Sequence, residues 1–172
     1  SYATSIGTWT KASGLASTAV GSRANAGAES AVAIGASADA TGSAAIALGE
    51  ESAASANADT AIGRKSKATG GQSTAIGSGA AASGNLSSAI GAGSTASGIR
   101  SLASGSGASA TAGSATAIGT EAKRALYSRL RATRAEGIVF KKADAEYSEG
   151  KNDDQIKIKF VESATLLVSA AH

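Results

Sequence analysis

The chain has 172 residues with no Cys, Pro or Met, 22 Gly and a single His, His172. The absence of cysteine excludes a disulfide framework and any thiolate metal site, and one terminal histidine cannot build a Ser/His/Asp or Cys/His set, so no catalytic residue, metal or cofactor is expected. The net charge is +3 and aromatic residues make up 3%, with basic side chains matched by acidic ones, so nucleic acid is not an expected partner. The sequence contains no stretch of 18 apolar residues and no basic amino-terminal region leading into an apolar run, so contact with a membrane is expected only through an anchor outside this chain.

From the amino terminus, a branched or long aliphatic residue followed by glycine recurs every 14 residues, at Ile6-Gly7, Val20-Gly21, Ile34-Gly35, Leu48-Gly49, Ile62-Gly63, Ile76-Gly77, Ile90-Gly91 and Ile118-Gly119. At the one missed beat, Ser104-Gly105, the glycine stays and the aliphatic residue is lost. Self-similarity without insertions means that each repeat is one coil of a stack resting on its neighbours. In the first eight coils the position six residues after the mark or the missed beat is alanine every time, from Ala12 and Ala26 through Ala96 and Ala110, so packing there is too close for a larger side chain. Around both columns the pattern has a period of two, which reads as two short strands per coil. Glycine after the first strand permits positive φ, and Gly14, Gly42, Gly70, Gly84 and Gly98 mark a second turn.

The expected fold class is therefore all-β, a parallel β-solenoid of nine coils over residues 1–120. The aliphatic marks Ile6, Val20, Ile34, Leu48, Ile62, Ile76, Ile90 and Ile118 are its expected core. The Thr column two residues earlier alternates with the marks and is read as pointing inward, which argues against an ice-binding rank, as do its interruptions at Val32, Ile46 and Leu102. Stacked strands lie about 4.7–4.9 Å apart, giving a rod roughly 40 Å long. Its interior is thin, and a flat alanine-lined strand offers a surface on which another chain can close, so oligomerisation is expected.

Charge within the roll is sparse. Glu50 and Glu51 stand one repeat before Arg64 and Lys65, which predicts two ion pairs between neighbouring coils. Arg64, Lys65 and Lys67 form the one dense basic spot, read first as a solvated face partly paired with those carboxylates. Together with Trp9, which shares a column with Arg23, Glu51 and Lys65 and is expected to be exposed, they are the candidate ligand-binding surface. Asp39 and Asp59 stand in different columns and make no catalytic pair.

After Gly119 the beat fades and charge density rises, so residues 121–172 are expected to form a small, mainly β cap or connector. Residues 121–136 read as a short helix, with Leu126 and Leu130 four apart, or as a last degenerate coil. Ile138 and Phe140 share one face of a strand, and Ile156, Ile158 and Phe160 alternate with Lys157 and Lys159 in another, with residues 148–155 as the loop between them. Leu166, Leu167 and Val168 suggest a further strand.

The blocks Ser17-Thr-Ala-Val-Gly21, Asp59-Thr-Ala-Ile-Gly63, Ser73-Thr-Ala-Ile-Gly77, Ser87-Ser-Ala-Ile-Gly91 and Ala115-Thr-Ala-Ile-Gly119 resemble the SxAIG repeats of YadA-like head domains in trimeric autotransporter adhesins. The resemblance covers about residues 3–122. It implies a left-handed parallel β-roll, a homotrimer around one axis, and display on the outer-membrane surface of a Gram-negative bacterium. In that family such heads bind extracellular-matrix proteins, host cells or one another, so the implied partner is a host matrix protein or cell-surface receptor. A bacteriophage tail fibre or virion spike with the same trimeric roll is the alternative, and a virion the alternative location; an enzyme is not expected. With the marks as core, Ile76→Asp is expected to bury an unpaired charge and abolish folding, which loss of the far-UV β signal would report.

Overall fold

The computed structural model describes residues 2–119 and, at the backbone, 137–141 and 155–159; among these every regular element is a β-strand. Two compact units divide the chain, Ser1–Ala122 and Lys123–His172. In the first unit each coil contributes a three-residue strand and, after a turn, a two-residue strand. The three-residue strands are β1 (Thr4–Ile6), β3 (Thr18–Val20), β5 (Val32–Ile34), β7 (Ile46–Leu48), β9 (Thr60–Ile62), β11 (Thr74–Ile76), β13 (Ser88–Ile90), β15 (Leu102–Ser104) and β17 (Thr116–Ile118). The shorter ones run from β2 (Lys11–Ala12) through β10 (Lys67–Ala68) to β16 (Ser109–Ala110). They form a nine-stranded and an eight-stranded parallel sheet, each strand pairing with the same strand of the next coil. Residue i faces residue i+14 throughout, as in Thr4↔Thr18, Ala75↔Ala89 and Ala68↔Ala82, so the sequence period is the structural register.

The inside of the coil is alanine and serine. The central residue of each three-residue strand, Ala19, Ala33, Ala47, Ala61, Ala75, Ala89 and Ala103, is fully buried, and so are Ala26, Ala40, Ala54, Ala68, Ala82 and Ala96 on the facing sheet. Because successive side chains of a strand point to opposite faces, the residues on either side of that central alanine point outward. This corrects the expectation that the aliphatic marks and the Thr column are the inward set. Ile6 is 59% exposed, Ile34 37%, Leu48 40%, Ile76 37%, Ile90 42% and Ile118 41%, while Val20 and Ile62 are partly covered. A period of two assigns residues to two faces without saying which is inside. Ranking Ile above Ala as a core residue picks the wrong one here, because two sheets joined by turns of four and five residues leave little room beyond methyl groups and hydroxyls.

The turns have their own regularity. In the first eight coils the residue three after the mark or the missed beat lies in the left-handed region, with φ of 60° at Trp9 and Arg23, 54° at Ser37 and Glu51, 58° at Lys65, and 64° at Gly93 and Gly107. A second left-handed column runs through Ala16, Ser30, Ala44, Ala58, Gln72, Leu86, Arg100 and Ser114. Each left-handed non-glycine residue costs roughly 1–2 kcal/mol, and the stack offsets this by bonding the turn amides to the coil before: Lys65 N–H donates to Glu50 O at 2.8 Å and Arg100 N–H to Asn85 O at 2.8 Å. Inward hydroxyls tie the first turn from within, Ser52, Ser66 and Ser94 each donating to the carbonyl of the glycine three residues earlier at 2.8 Å.

The mark glycine itself is required twice over. Gly77 has φ +129°, and a Cβ there would sit 2.6 Å from the carbonyl of Gly91 in the next coil. Gly14 and its counterparts in the second turn keep negative φ but meet the same obstacle, a Cβ on Gly14 falling on the Ala28 carbonyl.

In the second unit the described residues form one antiparallel pair, β18 (Gly137–Lys141) and β19 (Gln155–Lys159). Its register sets Ile138 opposite Ile158 and Phe140 opposite Ile156, matching the two alternating runs. Gln155, expected in the loop, begins the second strand. The helix or coil expected at 121–136, the rest of the loop, Phe160 and the strand at 166–168 lie outside the described residues.

The glycine columns give a paired prediction. Gly93→Ala, with φ +64° and open space around an added Cβ, should cost only about 1–2 kcal/mol. Gly77→Ala should cost about 3–5 kcal/mol or prevent folding. Urea midpoints of the two variants check the contrast.

Candidate functional site

Sequence and stacking together place a continuous apolar face on the outside of the nine-stranded sheet. Its two columns are the marks and the residues two before them, and neither contains a charged side chain. Ile46, Leu48, Ile76, Ile90 and Ile118 are exposed there side by side, and coils with Val32–Ile34 and Ile46–Leu48 are aliphatic in both columns. The missed beat is repaired on this face. Where Ser104 replaces the aliphatic mark, Leu102 replaces the usual Thr or Ser two residues earlier, 37% exposed and paired with Ser88 and Thr116. The coil thus keeps one large aliphatic side chain on the same surface. Exposed apolar stripes of this extent mark interaction surfaces rather than free solvent faces. The Thr column, now seen to face outward, is broken at three of its nine coils by aliphatic residues, which makes the surface an apolar contact face rather than a regular hydroxyl lattice.

The charged candidates occupy a different edge. Trp9, Arg64 and Lys65 lie on the turn between the two strands of a coil, and Lys67 on the outer side of the eight-stranded sheet; all four are exposed, Trp9 at 85%. The structure brings Arg64, Lys65 and Lys67 together on one coil and leaves Trp9 four coils away. Of the two expected ion pairs, Lys65 Nζ and Glu51 Oε2 approach to 3.6 Å with both side chains half exposed, whereas Glu50 and Arg64 close no pair among the described residues. On the outer side of the eight-stranded sheet, Asn25 Nδ2 donates to Asp39 Oδ1 at 2.7 Å, a rung between successive coils. Asp39 is thereby engaged in stacking.

Asp59 is the residue whose role the sequence hid. It is fully buried in a column otherwise occupied by Ser or Ala, and it is the only buried charged residue among those described. Its carboxylate accepts from four donors: Ala56 N–H at 2.9 Å, Gly71 N–H at 3.0 Å, Ser73 N–H at 2.9 Å and the Ser73 hydroxyl at 2.8 Å. In other coils the amide at the Ser73 position closes its own turn, as Ala45 N–H does on Gly42 O at 3.2 Å. Here that amide is given to the preceding coil instead. From the other side Asn85 Nδ2 donates to Gly71 O at 3.2 Å. The Gly70–Ser73 turn is therefore held between a carboxylate below and an amide above. The signal available in the sequence was the pair Gly70-Gly71, which breaks the usual turn composition one coil after Asp59.

Among the described residues no group of three or more His, Cys, Asp or Glu side chains is gathered to hold a metal ion, and no helix is long and apolar enough to cross a membrane. The features present are a repeated apolar face, a charged edge and a saturated buried carboxylate. They are carried by a parallel β-solenoid.

The comparisons place that solenoid. The family model for the YadA head domain repeat (2 copies) matches at residues 1–24, 12–38, 26–52, 40–66, 54–80, 82–108 and 96–122. The chain belongs to the YadA head repeat family, which is associated with trimeric autotransporter adhesins. A search of the curated proteins returned no match.

Asp59→Ala would leave the amides of Ala56, Gly71 and Ser73 without their acceptor inside the roll. At about 1–3 kcal/mol for each buried unsatisfied group, relaxed in part by local opening, a loss of about 2–4 kcal/mol is expected. A lowered urea midpoint with accelerated hydrogen exchange at Gly71 and Ser73 would report it.

Proposed function

We propose that this chain is the head of a homotrimeric surface fibre that mediates attachment, without enzymatic activity, by presenting a repeated binding surface to a host extracellular-matrix protein or cell-surface receptor. The observation that carries this reading is the uncharged outer face of the nine-stranded sheet, with at least one large aliphatic side chain in every coil. Three copies closing around one axis bury that face along the length of the roll, and leave the eight-stranded sheet and the charged turns outward as the displayed surface. Three rather than two copies is the choice that membership of the YadA head family favours. Identical coils in each of three chains repeat any weak contact many times, so that affinity comes from multiplicity.

The chain is expected to sediment with the mass of three copies. Ile76→Asp, on the outer face, is expected to keep the far-UV β signal while weakening association at least tenfold, about 1.4 kcal/mol or more. This replaces loss of folding as the expected outcome for that variant. A wild-type monomer, or an Ile76→Asp protein that remains a trimer, would contradict the assembly. For the attachment role, gold-labelled antibody on projections from intact cells supports the adhesin reading, and gold on tail fibres or capsids of particles moves the same architecture to a virion.

A further inference from the structure

The second turn of the coil changes character between the fourth and seventh coils. The two residues at its tip are plain at Ser43-Ala44 and again at Gly113-Ser114, but between these they become Asn57-Ala58, Gly71-Gln72, Asn85-Leu86 and Ile99-Arg100. Successive tips are laddered, Gln72 N–H donating to Asn57 O at 2.8 Å, Leu86 N–H to Gly71 O at 3.0 Å and Arg100 N–H to Asn85 O at 2.8 Å. Each tip therefore sits one rung of about 4.8 Å above the last. Gln72, Leu86 and Arg100 share one column and are all exposed, with Ile99 beside Arg100 at 61% exposure. Arg100 is the sole charged side chain in residues 68–119. In the other column Gly71 leaves a bare rung between Asn57 and Asn85, a notch whose floor is backbone. That floor is fixed from two sides: Gly71 N–H donates to the buried Asp59 carboxylate at 3.0 Å, and Asn85 Nδ2 donates to Gly71 O at 3.2 Å. A Cβ at Gly71 would stand 3.2 Å from Asn85 Nδ2, so the notch and the position of Asn85 need the same glycine. Among the described residues Asn85 Oδ1 and the side-chain amides of Asn57 and Gln72 make no hydrogen bond, and all three residues are exposed.

Free carboxamide groups beside one cation and two aliphatic side chains supply the donors, acceptors and apolar ground that an acidic sugar needs. We propose that this edge is a binding site for a glycan, held through a carboxylate-bearing sugar. The Arg100 guanidinium takes the carboxylate in a forked pair. Leu86, one rung below, and Ile99, beside it, receive the C–H face of the ring. The Asn57 and Gln72 amides and Asn85 Oδ1 meet hydroxyls of the sugar that follows along the ridge. From the Asn57 rung to the Ile99 rung the ridge runs about 14 Å, the reach of a short oligosaccharide, and it is two side chains wide. That is far less than the about 800 Å² that each partner buries in a stable protein–protein interface, so a sugar fits this edge better than a folded protein does. A ridge with one notch encloses less of a ligand than a pocket does, and a single contact is weak. Three copies in each fibre and many fibres on a surface supply the avidity. The site rests on the attachment reading proposed above and names the chemistry of one ligand within it. Sialic acids on cell-surface glycans and uronic acids in matrix polysaccharides both carry the required group.

Titration of the full chain with sialyllactose, with a hyaluronan oligosaccharide and with neutral lactose tests the site, with saturation-transfer NMR as the readout. Two variants go beside the wild type. Ile99→Gly with Arg100→Ser copies the Gly113-Ser114 tip of the next coil, and Gln72→Ala copies Ala58; Ser114 and Ala58 hold the same left-handed conformation, with φ of 57° and 53°. Both variants therefore keep a tip that the roll already accepts, and thermal midpoints confirm that they fold. The wild type should bind at least one of the two acidic glycans saturably, and lactose about tenfold more weakly or not at all. The double substitution should weaken acidic-glycan binding about tenfold or more, and Gln72→Ala roughly threefold. Binding of sialyllactose alone assigns the site to cell-surface glycans, binding of hyaluronan alone assigns it to matrix polysaccharide, and binding of both makes the carboxylate itself the recognised group. Failure to bind either acidic glycan, equal binding of lactose, or two variants that both bind as the wild type does would overturn the site. No cell or matrix protein enters this titration, so its failure leaves attachment through a protein ligand standing, and gold label on particles rather than cells leaves the glycan result standing.

Discussion

Everything in the roll depends on stacking like on like. Each strand is hydrogen-bonded to the same strand of the next coil in strict i to i+14 register, so every side chain sits on a copy of its own position. That constraint decides which residues the interior accepts. A column of alanine can repeat indefinitely between two close sheets, whereas a column of isoleucine can repeat only where it has open space beside it. The aliphatic marks therefore line the outside, and the chain by itself displays a long apolar face. What looks like a core signal in the sequence is an exposed aliphatic stripe in the structure.

The same constraint explains the turns. Coils of identical length need the same two reversals each time, and the structure makes them with left-handed residues of almost any type, including Trp9, Leu86 and Arg100. No local sequence preference marks these positions, and β-branched residues are absent from both columns. The strain is tolerated because the turn amides are laddered as regularly as the strands, so that each corner is part of the sheet bonding rather than a loop. The mark glycine is fixed both by its positive φ and by its neighbour, since the backbone of the next coil occupies the place of a Cβ.

Period, strand number, parallel stacking and family were legible from the columns at Ile6 and Ala12 and their repeats, because those are properties of spacing. Facing was not, because a period of two is silent about inside and outside, and the higher hydrophobicity of Ile pointed to the wrong face. The compensation of Ser104 by Leu102 was present in the sequence, but it acquires meaning only once both columns are known to share a surface. Asp59 was invisible for a different reason. Three of its four donors are backbone amides, one in its own turn and two in the next coil, and no side-chain spacing encodes them. The Glu50–Glu51 and Arg64–Lys65 rungs were read correctly as neighbours, yet only one of the two pairs closes.

The central claim is that the alanines are the interior and the marks are an interface between chains, two kinds of protection that differ in their dependence on concentration. Thiol labelling of Ala75→Cys and Ile76→Cys, measured over a range of protein concentrations, distinguishes them most directly. Burial inside the roll predicts that Cys at position 75 reacts only at the rate of unfolding whatever the concentration, and the proposed assembly predicts that Cys at position 76 becomes freely reactive on dilution as chains separate. Concentration-independent protection at position 76, or ready labelling at position 75 in the folded chain, would contradict it.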